Sequence, residues 1–230
     1  MKKNILVIGG SSGIGLEIVR QLHEEHNVYV ANRTNESLSN FKHEFIKVDI
    51  IEETIDSSLL PESLDGLVYC PGTINLRPFR GLKPETFISD FNINVMGAVK
   101  NIQAVLKNLN QSKHSSIVLF STVAVQTGMP FHSSIAASKG AIEGLTRSLA
   151  AEFAPKISVN AIAPSIVDTP LSDKFLNNEA KMERAVERHP LKKVGSPSEL
   201  AKAAIFLLTN SSWITGQVIG VDGGIGNLKI

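Results

Sequence analysis

The stretch "NILVIGGSSGIGLEIVRQL", residues 4–22, decides the fold. Its first part is an apolar, β-branched run typical of a buried strand, and its last part spaces apolar residues as an amphipathic helix does. Between them lies the glycine-rich turn "GGSSGIG" (9–15). Gly9 permits a tight turn, Gly13 admits a ligand close to the backbone, and Gly15 lets the helix pack on the strand. A glycine pattern alone also fits a purely structural turn, but the flanking strand and helix favour a phosphate-binding loop.

The rest of the chain alternates strands and helices. Apolar runs predict strands at residues 4–9, 27–31, 44–49, 65–70, 116–121, 156–162 and 216–222. Helical periodicity predicts helices at residues 13–25, 87–109, 136–153 and 196–209, the last with Ser196, Pro197 and Glu199 forming its capped start. This alternation predicts an α/β protein of Rossmann type, with a doubly wound parallel sheet of about seven strands and helices on both faces, in three α/β/α layers.

The bulk properties fit a single domain over residues 1–230, and the glycine loop after its first strand predicts that this domain binds a dinucleotide. Cys70 is the only cysteine and the formal net charge is +1. One cysteine excludes an internal disulfide and fits a reducing compartment, and the charge gives no support to a nucleic-acid or membrane-surface partner. No apolar run reaches the about 18 residues of a membrane span, and the run after "MKKN" is too short for a signal peptide. We therefore expect a cytoplasmic protein with no nucleic-acid or membrane partner, and we predict no metal site.

The end of the second predicted strand, "ANRT" (31–34), carries Asn32 and Arg33 and no carboxylate. An acid at this place would accept hydrogen bonds from the ribose 2′-hydroxyl of NAD and would repel a 2′-phosphate. Arg33 does the reverse, because a guanidinium pairs with a phosphate. The sequence therefore predicts NADP(H) in preference to NAD(H), although Arg33 also fits a solvated loop residue.

Six segments, in order and over essentially the whole length, resemble the short-chain dehydrogenase/reductase family. They are the glycine loop with its GxxxGxG spacing, "VDI" (48–50), "NVMG" (94–97), "SKGAIEGLTRSLAAEFAP" (138–155), "VNAIAPSIVDTPL" (159–171) and "WITGQVIGVDGG" (213–224). The resemblance implies a Rossmann-type sheet, a nicotinamide cofactor, a small carbonyl or alcohol substrate, and a homotetramer or homodimer built partly through helix–helix contacts.

The same resemblance assigns roles to several side chains. It implies that Lys139 holds the nicotinamide ribose, that Asn94 supports a proton-relaying water, and that Thr122 takes the place of the serine that polarises the carbonyl. Lys139 would otherwise be a helix lysine extending into solvent. The tyrosine that delivers the proton falls on Ile135, which has no proton to give, and loss of a general acid typically costs about 10² to 10⁴ in rate.

The resemblance also implies the cofactor contacts. Asp49 would meet the adenine amine and Thr169 the carboxamide of the nicotinamide. The full predicted set is Gly9, Ser11, Ser12, Gly13, Ile14, Gly15, Asn32, Arg33, Asp49, Ile50, Gly72, Lys139, Pro164 and Thr169.

Some other group would have to supply the proton in place of Ile135. A histidine titrates near neutrality, so His132 is a candidate, although a surface histidine near a helix start is the favoured interpretation. Thr122 or a water held by Asn94 are further candidates, while Ser133 precedes the helix and Ser134 points elsewhere on the helical wheel.

Two nearby residues have less direct roles. Tyr69, in "YCPG" (69–72), is expected near the cofactor with its hydroxyl directed away from the hydride acceptor. Ser165 stands where the family has a glycine, and it narrows the backbone beside the nicotinamide.

Residues 170–195 form the least regular segment, polar, charged and bounded by prolines, and we predict that they are a mobile lid over the substrate. Three functions remain open. The first is an NADP(H)-dependent oxidoreductase with reduced or altered activity, acting on 3-oxoacyl or other small carbonyl compounds. The second is a cofactor-binding, catalytically impaired relative that acts as a sensor or partner subunit. The third is a lyase or isomerase that uses a bound cofactor or none.

Overall fold

The computed structural model describes residues 2–229, whose strands form one parallel sheet with the order β3-β2-β1-β4-β5-β6-β7. The strands are β1 (Asn4–Ile8), β2 (Asn27–Asn32), β3 (Glu44–Lys47), β4 (Gly66–Tyr69), β5 (Ser115–Phe120), β6 (Ile157–Pro164) and β7 (Val218–Val221). The predicted seven-stranded, doubly wound sheet is confirmed, and each strand overlaps its predicted segment.

Helices cover both faces of this sheet. They are α1 (Gly13–Leu22), α2 (Pro84–Phe91), α3 (Gly97–Gln111), α4 (Ala124–Thr127), α5 (Ser133–Phe153), α6 (Asp173–Leu176), α7 (Glu179–Arg188) and α8 (Pro197–Thr209). One apolar cluster joins the sheet to α3 and α5 through residues such as Leu109 and Ile142. A second joins the opposite face to α1 and α8 through residues such as Ile18 and Leu207. The three predicted layers are therefore present.

The start of α8 is the predicted capping box. The Ser196 hydroxyl accepts a hydrogen bond from the Glu199 N–H, and the Glu199 carboxylate accepts one from the Ser196 N–H. Pro197 occupies the first turn, where its missing N–H costs nothing.

The single helix predicted over residues 87–109 is divided in the structure. A π-helical turn, Asn92–Met96, separates α2 from α3. Two backbone carbonyls there accept hydrogen bonds from side chains. Asn94 Nδ2 donates to Asp90 O at 2.7 Å, and the Tyr69 hydroxyl donates to Ile93 O at 2.5 Å. Side-chain donors that enter the helical hydrogen-bond ladder widen it locally. The apolar spacing is nearly the same in both forms of helix, so the sequence pattern does not reveal the division.

The segment 170–195 is more regular than the sequence indicates. It contains α6 and α7, and α7 begins where the Asn178 side chain accepts a hydrogen bond from the Lys181 N–H at 3.0 Å. This N-cap satisfies a donor that the first turn of a helix leaves open. The motion of this segment as a lid stays a prediction.

The strand order places a crevice at the middle of the sheet. β1 pairs with β2 on one side and with β4 on the other, so the winding of the chain reverses between β1 and β4. In open parallel sheets, ligands bind at the carboxyl ends of the strands beside such a reversal. Among the helices described, none is both long and apolar enough to cross a bilayer.

Candidate active site

The glycine loop after β1 has the backbone that its sequence predicts. Gly9 and Gly13 have φ values of 79° and 52°, which favour glycine. A Cβ on Gly15 would lie 2.2 Å from the Gly9 carbonyl oxygen, so the first turn of α1 packs directly on the loop. Ser12 precedes α1 and its side chain makes no capping hydrogen bond. The loop therefore presents the N-terminus of α1 to a ligand without a competing side chain.

Beside this loop, at the carboxyl edge of the sheet, lies a cavity of about 400 Å³. Its walls come from the glycine loop, the ends of β4, β5 and β6, the start of α5, and the segment that contains α6 and α7. Of the predicted site residues, those that line it are Ile14, Gly72, Thr122, Ile135, Lys139, Pro164 and Thr169.

Lys139 is the buried cation of this cavity. Burial lowers its pKa to about 8, while the carboxylate of Asp90 acts in the opposite direction. Burial raises the pKa of Cys70 to about 12, so the thiol stays protonated near neutrality. A Cβ on Gly72 would lie 3.1 Å from Asn94 Oδ1 and 3.6 Å from Lys139 Nζ. The absence of a side chain at Gly72 therefore leaves room around both polar groups.

Asn94 lies behind Gly72 and is fully buried. Its Nδ2 donates to Thr73 Oγ1 at 2.9 Å and to Asp90 O, whereas its Oδ1 has no partner among the residues described. A buried oxygen without a donor among the protein groups is suited to accept a hydrogen bond from a water molecule or a ligand. Asn94 is therefore held firmly by its amide nitrogen while its oxygen is available.

The carboxylate of Asp90, also fully buried, was missed by the sequence interpretation. It accepts hydrogen bonds from Thr73 Oγ1 at 2.6 Å, Asn75 Nδ2 at 2.7 Å and Ser134 Oγ at 2.5 Å. Three donors compensate the burial of the charge. The one available indication was that Asp90 is the only charged residue between Glu85 and Lys100.

His132 is a half-buried side chain that directly precedes α5 and also lines the cavity. Its Nδ1 donates to the Pro130 carbonyl at 2.7 Å, because that oxygen can only accept. Ser134 is turned away from the cavity and bonded to Asp90, as its place on the helical wheel indicates.

The hydroxyls of Tyr69 and Ser165 each contact another protein group. The Tyr69 hydroxyl is used by Ile93 O, outside the cavity, and burial raises its pKa. The predicted direction of this hydroxyl is thus consistent with the structure. Ser165 lines the cavity, and its hydroxyl lies 2.8 Å from Nε2 of the buried His189.

The predicted ribose and adenine contacts lie along the same edge, outside the cavity. Asn32 ends β2, and its carbonyl accepts a hydrogen bond from Val48 N, which brings Asp49 beside it. The Asp49 carboxylate accepts from Ile51 N at 3.0 Å. Arg33 is exposed and makes no ion pair with any residue in the described part of the chain. Within residues 2–229, no three His, Cys, Asp or Glu side chains are grouped to hold a metal ion.

An open parallel sheet with a glycine loop at its winding reversal defines a dinucleotide-binding α/β protein. A family model described as enoyl-(acyl carrier protein) reductase matches residues 9–226. The 3-oxoacyl-[acyl-carrier-protein] reductase FabG of Thermotoga maritima is 38% identical over 146 residues, which are 63% of this chain and 58% of that protein. FabG of Rickettsia prowazekii is 31% identical over 234 residues, covering 97% of this chain and 96% of the relative.

The fold has solved counterparts as well. Gluconate 5-dehydrogenase of Burkholderia cenocepacia, solved with NADP and tartrate, has a TM-score of 0.90 and 25% identity, over 100% of this chain and 97% of that one. The chain therefore belongs to the short-chain dehydrogenase/reductase family, whose members are oxidoreductases that use a nicotinamide cofactor.

Proposed function

We propose that this protein is an NADP(H)-dependent oxidoreductase that interconverts a carbonyl and an alcohol, with Ile135 in the place of the proton-delivering tyrosine. The observation that carries the proposal is the convergence of Thr122, Lys139 and the orphaned Asn94 Oδ1 around Gly72 and the cavity. A 3-oxoacyl compound is the first substrate class to test, because FabG relatives are named for it.

The residues present fit a phosphorylated nicotinamide dinucleotide. The glycine loop has positive-φ glycines and a helix start without a side-chain cap, which suit a pyrophosphate. Arg33 is exposed at the end of β2, where a guanidinium suits a 2′-phosphate. The group supplies or accepts hydride when it is bound, and the solved gluconate 5-dehydrogenase with NADP supports this choice.

The protein's own part is to polarise the carbonyl and provide a proton. Thr122 lines the cavity, and its hydroxyl would donate to the carbonyl oxygen. Lys139, whose pKa is lowered to about 8 by burial, still carries its proton at neutral pH and gives it up more readily than an ordinary lysine does. Asn94 Oδ1 would hold the water through which this proton is replaced. Ile135 contributes shape only.

A binding protein without hydride transfer is the second candidate, and the apolar side chain of Ile135 in the cavity wall favours it. In that case the protein acts as a sensor or as a partner subunit of an active relative. The protein would then bind the cofactor at the same site without transferring hydride to a substrate.

The experiment is calorimetric titration with NADPH and NADH, followed by measurement of NADPH oxidation against a panel of 3-oxoacyl thioesters, ketones and aldehydes. We expect NADPH to bind more tightly than NADH and at least one carbonyl compound to be reduced. Binding of NADPH by the wild type without turnover of any carbonyl compound supports the sensor. Absence of any dinucleotide binding contradicts both functions.

We also propose a homodimer or homotetramer. Phe91, which precedes the π-helical turn, and Met96, which ends it, are exposed by 40% and 39%. Apolar side chains on a helix surface are suited to helix–helix contact between copies. Light scattering of the wild type and of Phe91→Glu/Met96→Glu distinguishes an assembly from a monomer.

A further inference from the structure

Helix α7 separates its charges by sign. Its cations Lys181, Arg184 and Arg188 line the cavity, whereas its acids, Glu179, Glu183 and Glu187, are exposed and do not. The acids follow one another at intervals of four residues, and like charges at that spacing destabilise a helix. The helix dipole accounts for Glu179 in the first turn and Arg188 in the last turn. It does not account for the remaining cations, which also line the cavity, so their placement points to a requirement from the cavity.

The cavity itself holds no compensating charge. Lys139 adds a fourth cation to its lining, and no Asp or Glu is among the lining residues of the described chain. None of the three cations of α7 makes an ion pair within residues 2–229. Two of them are instead held by neutral acceptors: Arg184 Nε donates to Ala180 O at 3.1 Å and Lys181 Nζ donates to Asn177 Oδ1 at 2.8 Å. The positive charge is thus positioned but not neutralised.

The α7 helix is fixed to the rest of the site by His189, which directly follows it. The buried ring donates from Nδ1 to Ala185 O at 2.6 Å, since a carbonyl can only accept, and Nε2 contacts Ser165 Oγ at 2.8 Å. Ser165 lies just beyond β6. The cations are therefore held at a defined distance from the sheet edge, as preorganised binding groups should be.

The remaining surface of the cavity is mostly apolar. Side chains from several elements provide it, among them Ile74, Leu76, Phe120, Met129, Leu171 and Phe175. A ligand that fits both features has a hydrocarbon body and an anionic end. The phosphates of the cofactor do not explain the cations, because the glycine loop and Arg33 are assigned to them.

We propose that the substrate of this cavity carries a carboxylate or phosphate group on an apolar body, and that Lys181, Arg184 and Arg188 bind this anion. The inference rests on the proposed function in taking the cavity as the substrate site. It names a property of the substrate that the oxidoreductase assignment leaves open. An oxo acid or an oxo-alkyl phosphate meets the requirement, while a neutral ketone does not.

The test uses three unreactive probes, hexanoate, hexanamide and hexyl phosphate, titrated by calorimetry into the full chain with and without saturating NADP⁺. We expect one anionic probe to bind at least about tenfold more tightly than hexanamide, because charge-assisted contacts are stronger than neutral ones. Whichever anion binds more tightly identifies the group. The preference should fall as salt is raised.

The double variant Arg184→Gln/Arg188→Gln should reduce the preference to within about twofold, because one cation of α7 remains. Its affinity for NADP⁺ and its thermal unfolding should stay unchanged, since both arginines are exposed. The control is Lys113→Gln, an exposed lysine before β5 at the opposite edge of the sheet, which should keep the full preference.

The outcomes separate the two proposals. Equal affinity for charged and neutral probes, or no binding of any probe, overturns the anion inference and leaves NADP⁺ binding to be judged by itself. Retention of the preference in the double variant also overturns it. Anion preference in a protein that does not bind NADP⁺ supports the anion inference and contradicts the proposed oxidoreductase.

Discussion

The hydroxyl of Ser134 donates a 2.5 Å hydrogen bond to the carboxylate of Asp90, which ties the start of α5 to the end of α2. Thr73 donates to the same carboxylate and also lines the cavity, so the buried network reaches the site wall. Asn94 joins it by donating to Thr73. A single carboxylate therefore organises the polar side of the candidate site.

Replacement of Asp90 should destabilise the protein strongly. Asp90→Ala leaves three donors without an acceptor, and we expect the free energy of unfolding to fall by about 3 kcal/mol. Asp90→Asn keeps one carbonyl oxygen and should lose less. Urea unfolding measures both, with the exposed Glu152→Gln as a control that should change by less than about 0.5 kcal/mol. A stable Asp90→Ala protein would show that the network is not structural.

Lys139 should make stability rise at alkaline pH. Burial lowers its pKa from 10.5 to about 8, so between these values the unfolded chain binds the proton and the native protein does not. The free energy of unfolding of the wild type should therefore rise by about 3 kcal/mol relative to Lys139→Met as pH increases through this window.

The measurement is urea unfolding of both proteins at pH 7, 8, 9 and 10. Below about pH 8 the difference between them should stay constant, because native and unfolded chains both carry the charge there. Lys113→Met, which removes an exposed lysine, should show no such trend. A flat difference over the whole range would mean that Lys139 keeps an ordinary pKa.

Gly15 should not tolerate a side chain. Gly15→Ala places a Cβ 2.2 Å from the Gly9 carbonyl oxygen, so the loop must shift. We expect the free energy of unfolding to fall by about 2 kcal/mol and NADPH binding to be lost. Gly144→Ala in α5 is the matched change, because its Cβ meets no atom within 4 Å. It should stabilise the protein by about 0.5–1 kcal/mol. Unchanged NADPH affinity in Gly15→Ala would exclude the loop as the phosphate site.

Ile135 should be the position that limits proton delivery. The side chain is 5% exposed and lines the cavity beside Lys139. Ile135→Tyr should raise carbonyl reduction by about 10² to 10⁴, since it introduces a general acid. Ile135→Phe has the same ring without the hydroxyl and should give no gain. Equal rates for the two variants would show that the missing hydroxyl is not the limitation.

Arg33 should determine the preference between cofactors. Arg33→Gln removes the cation at the end of β2, and we expect NADPH to bind about tenfold more weakly while NADH is little affected. Calorimetric titration with each cofactor measures the ratio. Arg80→Gln, at an exposed arginine outside the cavity, is the control. A parallel loss for both cofactors would assign Arg33 to something other than the 2′-phosphate.

The sheet was predictable because its strands are buried on both faces and their apolar runs are unmistakable. The glycine loop was predictable because Gly9 and Gly13 adopt φ values that other residues avoid, so the loop requires glycine at these positions and the sequence shows it. The π-helical turn and the position of α7 over the site were not, because they depend on contacts between distant residues. Tyr69 bonds to Ile93 O, and His189 holds the end of α7 through Ser165. No local pattern encodes such pairings.

The close approach of Gly13 to Thr169, where a Cβ on the glycine would lie 3.4 Å from the threonine, joins the beginning of the chain to a loop beyond β6. Contacts between residues so distant in sequence form late and slowly during folding. A nascent chain that has emerged only as far as β5 therefore has the glycine loop but lacks the wall of the site that Thr169 provides. Cofactor added during synthesis should therefore stabilise only chains that extend beyond Thr169. Protease resistance that depends on the cofactor would then mark the chains in which both walls of the site have formed.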